Sequence, residues 1–350
     1  MMTTEQDFTF EDPTETTPSD VTHQTTGSSM TSSSAGGAGF YIQCAFLVIT
    51  IVGAAANALV LYAMIASKQH KKHVLIFNQN ALDFVSCMFL SVDFALKLCN
   101  INLSGTFGYW LCVTLLSSAG SWGAYVGSLI NLAAISIERY LKVVHDSWAK
   151  KKLREWIIYS AVAFAWISGI VLAAATVIPT TAVVNGVCYA RRFFRSQAAE
   201  KAFGIWNFMS FYVIILLVFI FCYGRILVVI RRQARVMAAH GAGGSNTAQN
   251  QLNKTQTSAI KTMILVSGLF AITWAPVYIY NLRKHLLANG EISFYFAGLL
   301  FIGYIYTCTN PFIYATKFYP VKRVLLRLIP CKKNTQPLES VDNTHLKSFC

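Results

Sequence analysis

Charge is what this 350-residue sequence has least of: Asp, Glu, Lys and Arg make up 13% of it, against 55% hydrophobic residues and a mean hydropathy of +0.47. Soluble domains carry about 25% charged residues, because their surface must be covered with polar groups. A soluble globular protein and a disordered chain are therefore both excluded, and a membrane protein is expected. The first 39 residues lack Lys and Arg altogether while holding six acidic residues, and are otherwise rich in Thr, Ser and Gly. They have neither the basic start nor the early apolar run of a cleaved signal peptide, so residues 1–39 read as a disordered extracellular tail. The net charge of +14 comes from basic residues in short runs between apolar stretches, which is a membrane topology signal and not a nucleic-acid surface. The nine cysteines make no disulfide scaffold, since Cys44, Cys87, Cys222 and Cys308 fall within apolar stretches as small packed hydrophobes.

A bilayer core of about 30 Å takes roughly 20 apolar residues as helix. Seven stretches qualify: Phe40 to Ala66, Val74 to Leu98, Tyr109 to Val144, Trp156 to Ile178, Phe203 to Ile230, Thr262 to Leu282 and Ile292 to Thr316. With the N-terminus outside, 7 of the 29 Lys and Arg residues face outward and the other 22 lie inside, so the C-terminus is cytoplasmic. After the last span, Val321, Val324, Leu325 and Leu328 share one helical face while Lys322, Arg323 and Arg327 point elsewhere, as in a helix lying on anionic lipid. Cys331 at its end could carry a palmitoyl chain. The expected organisation is tail (1–39), seven-span domain (40–318), interfacial helix (319–331) and cytoplasmic tail (332–350). The fold class is an all-α membrane protein, a seven-transmembrane helix bundle with a short amphipathic C-terminal interfacial helix.

Polar residues inside spans are costly and mark function. Here they form an ordered set: Asn57 in GAAANALV, Asp83 in ALDF, SIERY (136–140) closing span three, Trp166 in span four, FAITWAP (270–276) in span six and NPFIY (310–314) ending span seven. Over about residues 40–331, these motifs in this order resemble the rhodopsin-like (class A) family of G-protein-coupled receptors. The resemblance implies a plasma-membrane receptor with an external ligand site, and heterotrimeric G protein and arrestin as cytosolic partners.

The residues carry the same reading on their own. Asp83 is a carboxylate near mid-membrane, and Asn57, Ser128 and Asn310 are the polar side chains that could reach it. The resemblance implies a sodium ion held by Asp83, Ser128 and Asn310; a protonated Asp83 hydrogen-bonded to Asn57 and Asn310 is the alternative. No other cofactor is expected. Pro276 removes a backbone hydrogen bond from span six and makes a hinge beside Trp274, with Phe270 one turn away; Pro311 loosens span seven beside Tyr314. Glu138 and Arg139 form an ion pair at the end of span three whose release would expose a donor fork. The resemblance makes Glu138, Arg139 and Tyr140 the G-protein switch, with Tyr223 and Tyr314 meeting Arg139 in the active state. No Asp or Glu stands between Arg232 and Lys261 to hold that arginine, so noticeable basal activity is expected. The family also implies a disulfide between Cys112 and Cys188, with Cys99 to Cys188 as the competitor. Asn102, in Asn102-Leu103-Ser104, is a candidate glycosylation site.

The ligand is constrained mostly by absences. No acid lies between Cys112 and Glu138, whereas amine receptors of this family place an aspartate there. Counting from Arg139 that position is Ser121; counting from Cys112 it is Ala119, because the stretch is two residues longer than in the family. Span seven has no lysine for a retinal Schiff base, and Tyr304 occupies about that place. Asp93, Ser121, Trp122, Arg191, Tyr278, Asn281 and Tyr304 are the candidate ligand residues, with Trp274 below them. Arg191, Arg192, Phe193, Phe194 and Arg195 just after Cys188, with Arg283 and Lys284 atop span six, form a cationic, aromatic rim that favours acidic or amidated ligands; a neuropeptide-like ligand is expected, with an acidic lipid or small metabolite as the alternative. A transporter or channel would need inverted repeats, broken spans or acid rings, and an enzyme would need clustered His, Cys or acids; neither pattern occurs.

Overall fold

A computed structural model describes residues 38–99, 101–189, 194–239, 247–287, 294–317 and 319–328. Eleven helices and one two-stranded sheet are described: α1 (Ala38–Ala66), α2 (Val74–Leu98), α3 (Gly105–Leu111), α4 (Ala119–Val144), α5 (Asp146–Lys152), α6 (Glu155–Val177), β1 (Ala182–Val184), β2 (Val187–Tyr189), α7 (Gln197–Phe208), α8 (Ile214–Ala239), α9 (Thr247–Leu287), α10 (Phe294–Lys317) and α11 (Tyr319–Leu328). Single π-helical turns, Cys112–Leu116 and Met209–Val213, lie between α3 and α4 and between α7 and α8. The seven expected spans are thus α1, α2, α3 with α4, α6, α7 with α8, α9 and α10. The 1–37 part of the expected tail, Arg191 and Cys331 lie outside the described residues.

The ring closes through contacts of α1 with α2 and α10, and of α9 with α10 and α7. α4 runs through the middle, against α2, α6, α8 and α9. Five helical segments are long and apolar enough to cross a membrane by composition alone, and α2 and α4 are not among them. Those two carry Asp83, Asp93 and Lys97, and Glu138, Arg139 and Lys142. The physical reason is position: central helices face protein on most sides, so polar groups there meet partners rather than lipid. The outer faces of α1, α6 and α8 instead expose Val48, Ile51, Phe164, Ile170, Leu217 and Ile220, as lipid contact requires.

Small residues let α4 and α6 touch backbone to backbone. A Cβ on Gly169 would sit 2.2 Å from the Gly123 carbonyl oxygen, so only glycine fits that crossing. The core along α4, α8, α9 and α10 is built from Leu129, Leu132, Ile135, Ile226, Met263, Val266, Phe270 and Tyr314, all essentially inaccessible. α9 and α10 continue through Pro276 and Pro311.

The structure departs from the sequence reading in three places. Span three is not one helix: after the π turn, Ser118 adopts a left-handed conformation (φ +58°) before α4 begins, and this break absorbs the two additional residues between Cys112 and Arg139. The α7 to α8 segment begins at Gln197 and α9 at Thr247, well outside the apolar windows, because polar turns extend both helices beyond a bilayer's thickness. The fold is also not purely helical. β1 and β2 pair antiparallel about Asn185-Gly186, both at positive φ (+51° and +76°), which is the two-residue hairpin turn that Asn-Gly favours.

Candidate functional site

At the hairpin end of the bundle, Cys188 of β2 is disulfide-bonded to Cys112 at the π turn. The hairpin is further tied down by the Leu103 N–H, which donates to the Gly186 carbonyl at 3.0 Å. Asn102 is exposed and its carboxamide packs against Gly186.

Toward the hairpin end lies a packed aromatic cluster, termed the well below. The Tyr125 ring packs 4.4 Å from Trp274 and 5.7 Å from Trp122, and its hydroxyl is 3.1 Å from that of Tyr278. Tyr212 stacks on Tyr278 at 5.2 Å, and Phe211 meets Trp122 edge-on. Asn281, three residues after Tyr278, shares its helix face and is half-buried. Trp122, Trp274 and Tyr278 are therefore brought together around Tyr125, and Tyr304 packs with Phe46 and Phe94 between α1, α2 and α10. Tyr125, Phe211 and Tyr212 were not singled out by sequence. Tyr125 lies three residues after Trp122, and that helical spacing was the available signal.

Two polar candidates bond at the break in span three. Asp93 is buried and accepts from Lys97 Nζ at 2.8 Å and from the Ser118 hydroxyl at 2.6 Å, so α2 is fastened to the break in span three. Ser121 donates to the Ser118 carbonyl at 2.9 Å, and its own carbonyl accepts from Ser86 of α2.

The column from well to switch follows α9. Phe270 is fully buried one turn from Trp274 and packs against Phe219, Tyr306 and Tyr212 with ring centroids about 6 Å apart (6.0, 5.8 and 6.2 Å). Trp274 and Phe270 are linked through neighbouring rings, since Tyr278 packs 6.1 Å from Trp274 and Tyr212 packs on both Tyr278 and Phe270.

Midway along α4 lies a polar centre larger than the sequence suggested. The Trp166 indole N–H donates to Asn78 Oδ1 at 2.9 Å, Asn78 Nδ2 to Asn131 Oδ1 at 2.9 Å, and Asn131 Nδ2 to Gln79 Oε1 at 2.8 Å. Gln79 Nε2 then donates to the Ser128 hydroxyl oxygen and lies 3.4 and 3.5 Å from the two Asp83 carboxylate oxygens. Ser128 donates to Asp83 Oδ1 at 2.8 Å and Asn310 Nδ2 to Asp83 Oδ2 at 2.9 Å. Asn57, expected near Asp83, donates instead to the Gly53 carbonyl of its own helix at 2.9 Å. An amide one turn from an unsaturated backbone carbonyl finds that acceptor without crossing to another helix. Gln79, Asn78 and Asn131 escaped the sequence reading; the signal was Gln79 exactly one turn before Asp83, at the i,i+4 spacing.

At the arginine end, Arg139 Nη2 is 3.7 Å from Glu138 Oε2, and Lys142 Nζ is 2.5 Å from Glu138 Oε1. Among the described residues Arg139 is thus held by its neighbour Glu138. Tyr223 bonds to Ser136 at 2.9 Å and to Ser267 at 3.3 Å, bridging α8 to α4 and α9. Tyr140 reaches His145 at 3.1 Å. Arg139 Nε and the Tyr314 hydroxyl are buried without a hydrogen-bond partner among the described residues. Burial, with the Arg139, Lys142 and Lys72 cations adding to it and Glu138 opposing, pushes the His73 pKa down to about 4. Among the described residues no three His, Cys, Asp or Glu side chains converge as a metal site.

Residues 56–314 match the family model described as 7 transmembrane receptor (rhodopsin family). The chain is 26% identical over 309 residues to somatostatin receptor type 3 of Mus musculus, covering 83% of this chain and 69% of the relative. Somatostatin receptor type 4 of Rattus norvegicus is 23% identical, covering 78% and 68%. G-protein coupled receptor 15 of Mus musculus is 22% identical, covering 82% and 79%.

Proposed function

This chain belongs to the rhodopsin family of seven-transmembrane receptors, and from that premise we propose that it carries an extracellular peptide signal to a heterotrimeric G protein. It is a multi-pass receptor of the plasma membrane and not an enzyme. The observation that carries the mechanism is the 4.4 Å packing of Tyr125 on Trp274. That contact makes the floor of the well part of α9, immediately before the Pro276 hinge. A ligand that fits the well better when Trp274 has shifted selects the state in which Phe270 repacks and the far end of α9 swings away, freeing Arg139 from Glu138 for the G protein. Differential binding of about 1–3 kcal/mol between the two states suffices for such coupling.

A peptide ligand is supported by two of the relatives named above, which are somatostatin receptors. The well is aromatic and amphipathic, with the Tyr278 and Tyr125 hydroxyls and Asn281 among rings, which favours aromatic side chains bearing polar tips. The basic bias supports a hairpin end outside and an arginine end inside, with the N-terminus extracellular and the C-terminus cytoplasmic. α11 fits an interfacial helix: Val321 is fully buried, Val324 and Leu325 pack on the core, and Arg323 and Arg327 are exposed toward anionic lipid. Palmitoylation at Cys331 and arrestin binding complete this reading of the inner side, and glycosylation at Asn102 that of the outer side.

The test is a panel of G-protein dissociation sensors in cells expressing the wild type or Arg139→Ala at matched surface levels. The expected result is a basal signal that the substitution abolishes and that peptide-library fractions raise. A basal signal no higher than in vector cells would refute the expected basal activity, and a response to lipid extracts but to no peptide fraction would refute the peptide ligand.

A further inference from the structure

We propose that the Gln79 side-chain amide of this receptor occupies the place of the internal cation that the family resemblance implies beside Asp83, so that the protein is insensitive to sodium.

A cation in that place needs oxygen lone pairs, from the Asp83 carboxylate first and then from hydroxyl or amide oxygens. Here the same lone pairs already face donors. Asp83 accepts from the Ser128 hydroxyl (2.8 Å) and Asn310 Nδ2 (2.9 Å), with Gln79 Nε2 at 3.4 and 3.5 Å from its two oxygens. The Ser128 oxygen, a second ligand in the implied set, accepts from Gln79 Nε2. Gln79 thus points the positive end of its amide dipole into the space between Asp83 and Ser128. An ion there would meet two N–H groups at close range. The third implied ligand, the Asn310 oxygen, is buried without a hydrogen-bond partner among the described residues. One uncommitted oxygen does not restore the two that are taken, and the donor set does not fit the ion.

The direction of the Gln79 amide is dictated from outside the site. An amide flip would exchange its oxygen and nitrogen and offer the ion a ligand, so the question is what prevents the flip. Trp166 is the answer: an indole N–H can only donate. Its bond to Asn78 Oδ1 turns Asn78 Nδ2 toward Asn131 Oδ1, which turns Asn131 Nδ2 toward Gln79 Oε1. A donor-only group at one end and a carboxylate at the other leave every amide in the chain one orientation. Asn131 Nδ2 also donates to the Leu75 carbonyl at 2.9 Å, which holds it in place. Gln79 and Asn131 are wholly buried, so no solvent competes for these bonds. A relay begun on α6 therefore delivers an N–H to a carboxylate on α2 through α4.

The measurement is the thermal midpoint of the purified full-length receptor in lipid nanodiscs, by tryptophan fluorescence, in NaCl, KCl or choline chloride at equal ionic strength. It requires neither ligand nor G protein, so it stands apart from the signalling test above. The wild type should melt at the same temperature in all three salts. Gln79→Leu, which removes the amide and leaves Asp83, Ser128 and Asn310, should gain a stabilisation of a few degrees in sodium over potassium and choline, removed by adding Asp83→Asn. Gln79→Met serves the same purpose should the branched side chain reduce yield. A sodium-selective shift in the wild type that Asp83→Asn removes would overturn the proposal. So would the absence of any sodium shift in both folded Gln79 variants, since the amide would then not be what keeps the ion out.

Discussion

The amide relay of the polar centre and the arginine end share α4, with Asn131 and Arg139 about two turns apart, yet they handle buried polarity in opposite ways. In the centre every amide from Asn78 to Gln79 has a partner on another helix, in a fixed direction. At the arginine end, Arg139 Nε and the Tyr314 hydroxyl are buried with no partner among the described residues, and Glu138 is shared between Arg139 and Lys142. A satisfied network fixes one arrangement of α2, α4 and α6, whereas unsatisfied groups raise the energy of the arrangement that contains them. The difference teaches where motion belongs: the α2, α4 and α6 side is the frame, and the ends of α8, α9 and α10 around Arg139 are the moving part.

The strongest challenge to that division is Asn131→Leu. It strands Asn78 Nδ2 and Gln79 Oε1 together, and should destabilise the receptor by about 2–4 kcal/mol, read as a lowered thermal midpoint. The value sits above the roughly 0.6 kcal/mol average for one interhelical hydrogen bond in a membrane, because two partners are orphaned at once. A midpoint unchanged by Asn131→Leu would mean that the frame is held by packing alone.

A smaller effect is expected at the arginine end from pH. His73 has its folded pKa depressed to about 4, below the unfolded value of about 6.5. The unfolded chain therefore binds the extra proton first, and stability falls as pH drops from about 6.5 through about 4. His73 is only partly buried in the structure, so solvent screening limits the effect to about 1 kcal/mol or less. His73→Gln should flatten that part of the stability profile; an unaltered acid limb would exclude His73 as its source. The smallest expected change in stability is from Tyr314→Phe, whose lost hydroxyl has no partner among the described residues. Its midpoint should stay near that of the wild type while ligand-driven G-protein activation falls, and the reverse pattern would place Tyr314 in the frame.

Much of this arrangement was legible in the sequence. Asp83 and Asn310 stand in charge-poor runs where chance polar residues are not tolerated, and the seven apolar stretches are helical, with span three broken at Ser118. The relay was not legible, because Asn78, Gln79 and Asn131 lie in segments whose neighbours cannot be known before α2, α4 and α6 are packed. Gln79 in particular resembles a surface amide until Asp83 and Ser128 are placed around it. The hairpin was legible in principle, since Asn185-Gly186 lies between Val183-Val184 and Val187, but three-residue strands are too short to show a period. The rings around Tyr304 were not legible either, because position along a helix fixes height but not which neighbours crowd around it.

The break at Ser118 has one more implication. Because the chain turns left-handed there between a π turn and α4, residues before it keep step with Cys112 and residues after it keep step with Arg139. Ser121 lies on the Arg139 side, so the count from that end governs the well. The break acts as an expansion joint: residues can be gained or lost at this one place while the disulfide above and the signalling machinery below stay in register. Receptors with different ligands could arise through such a joint by length change alone, with the lower half of the helix inherited intact.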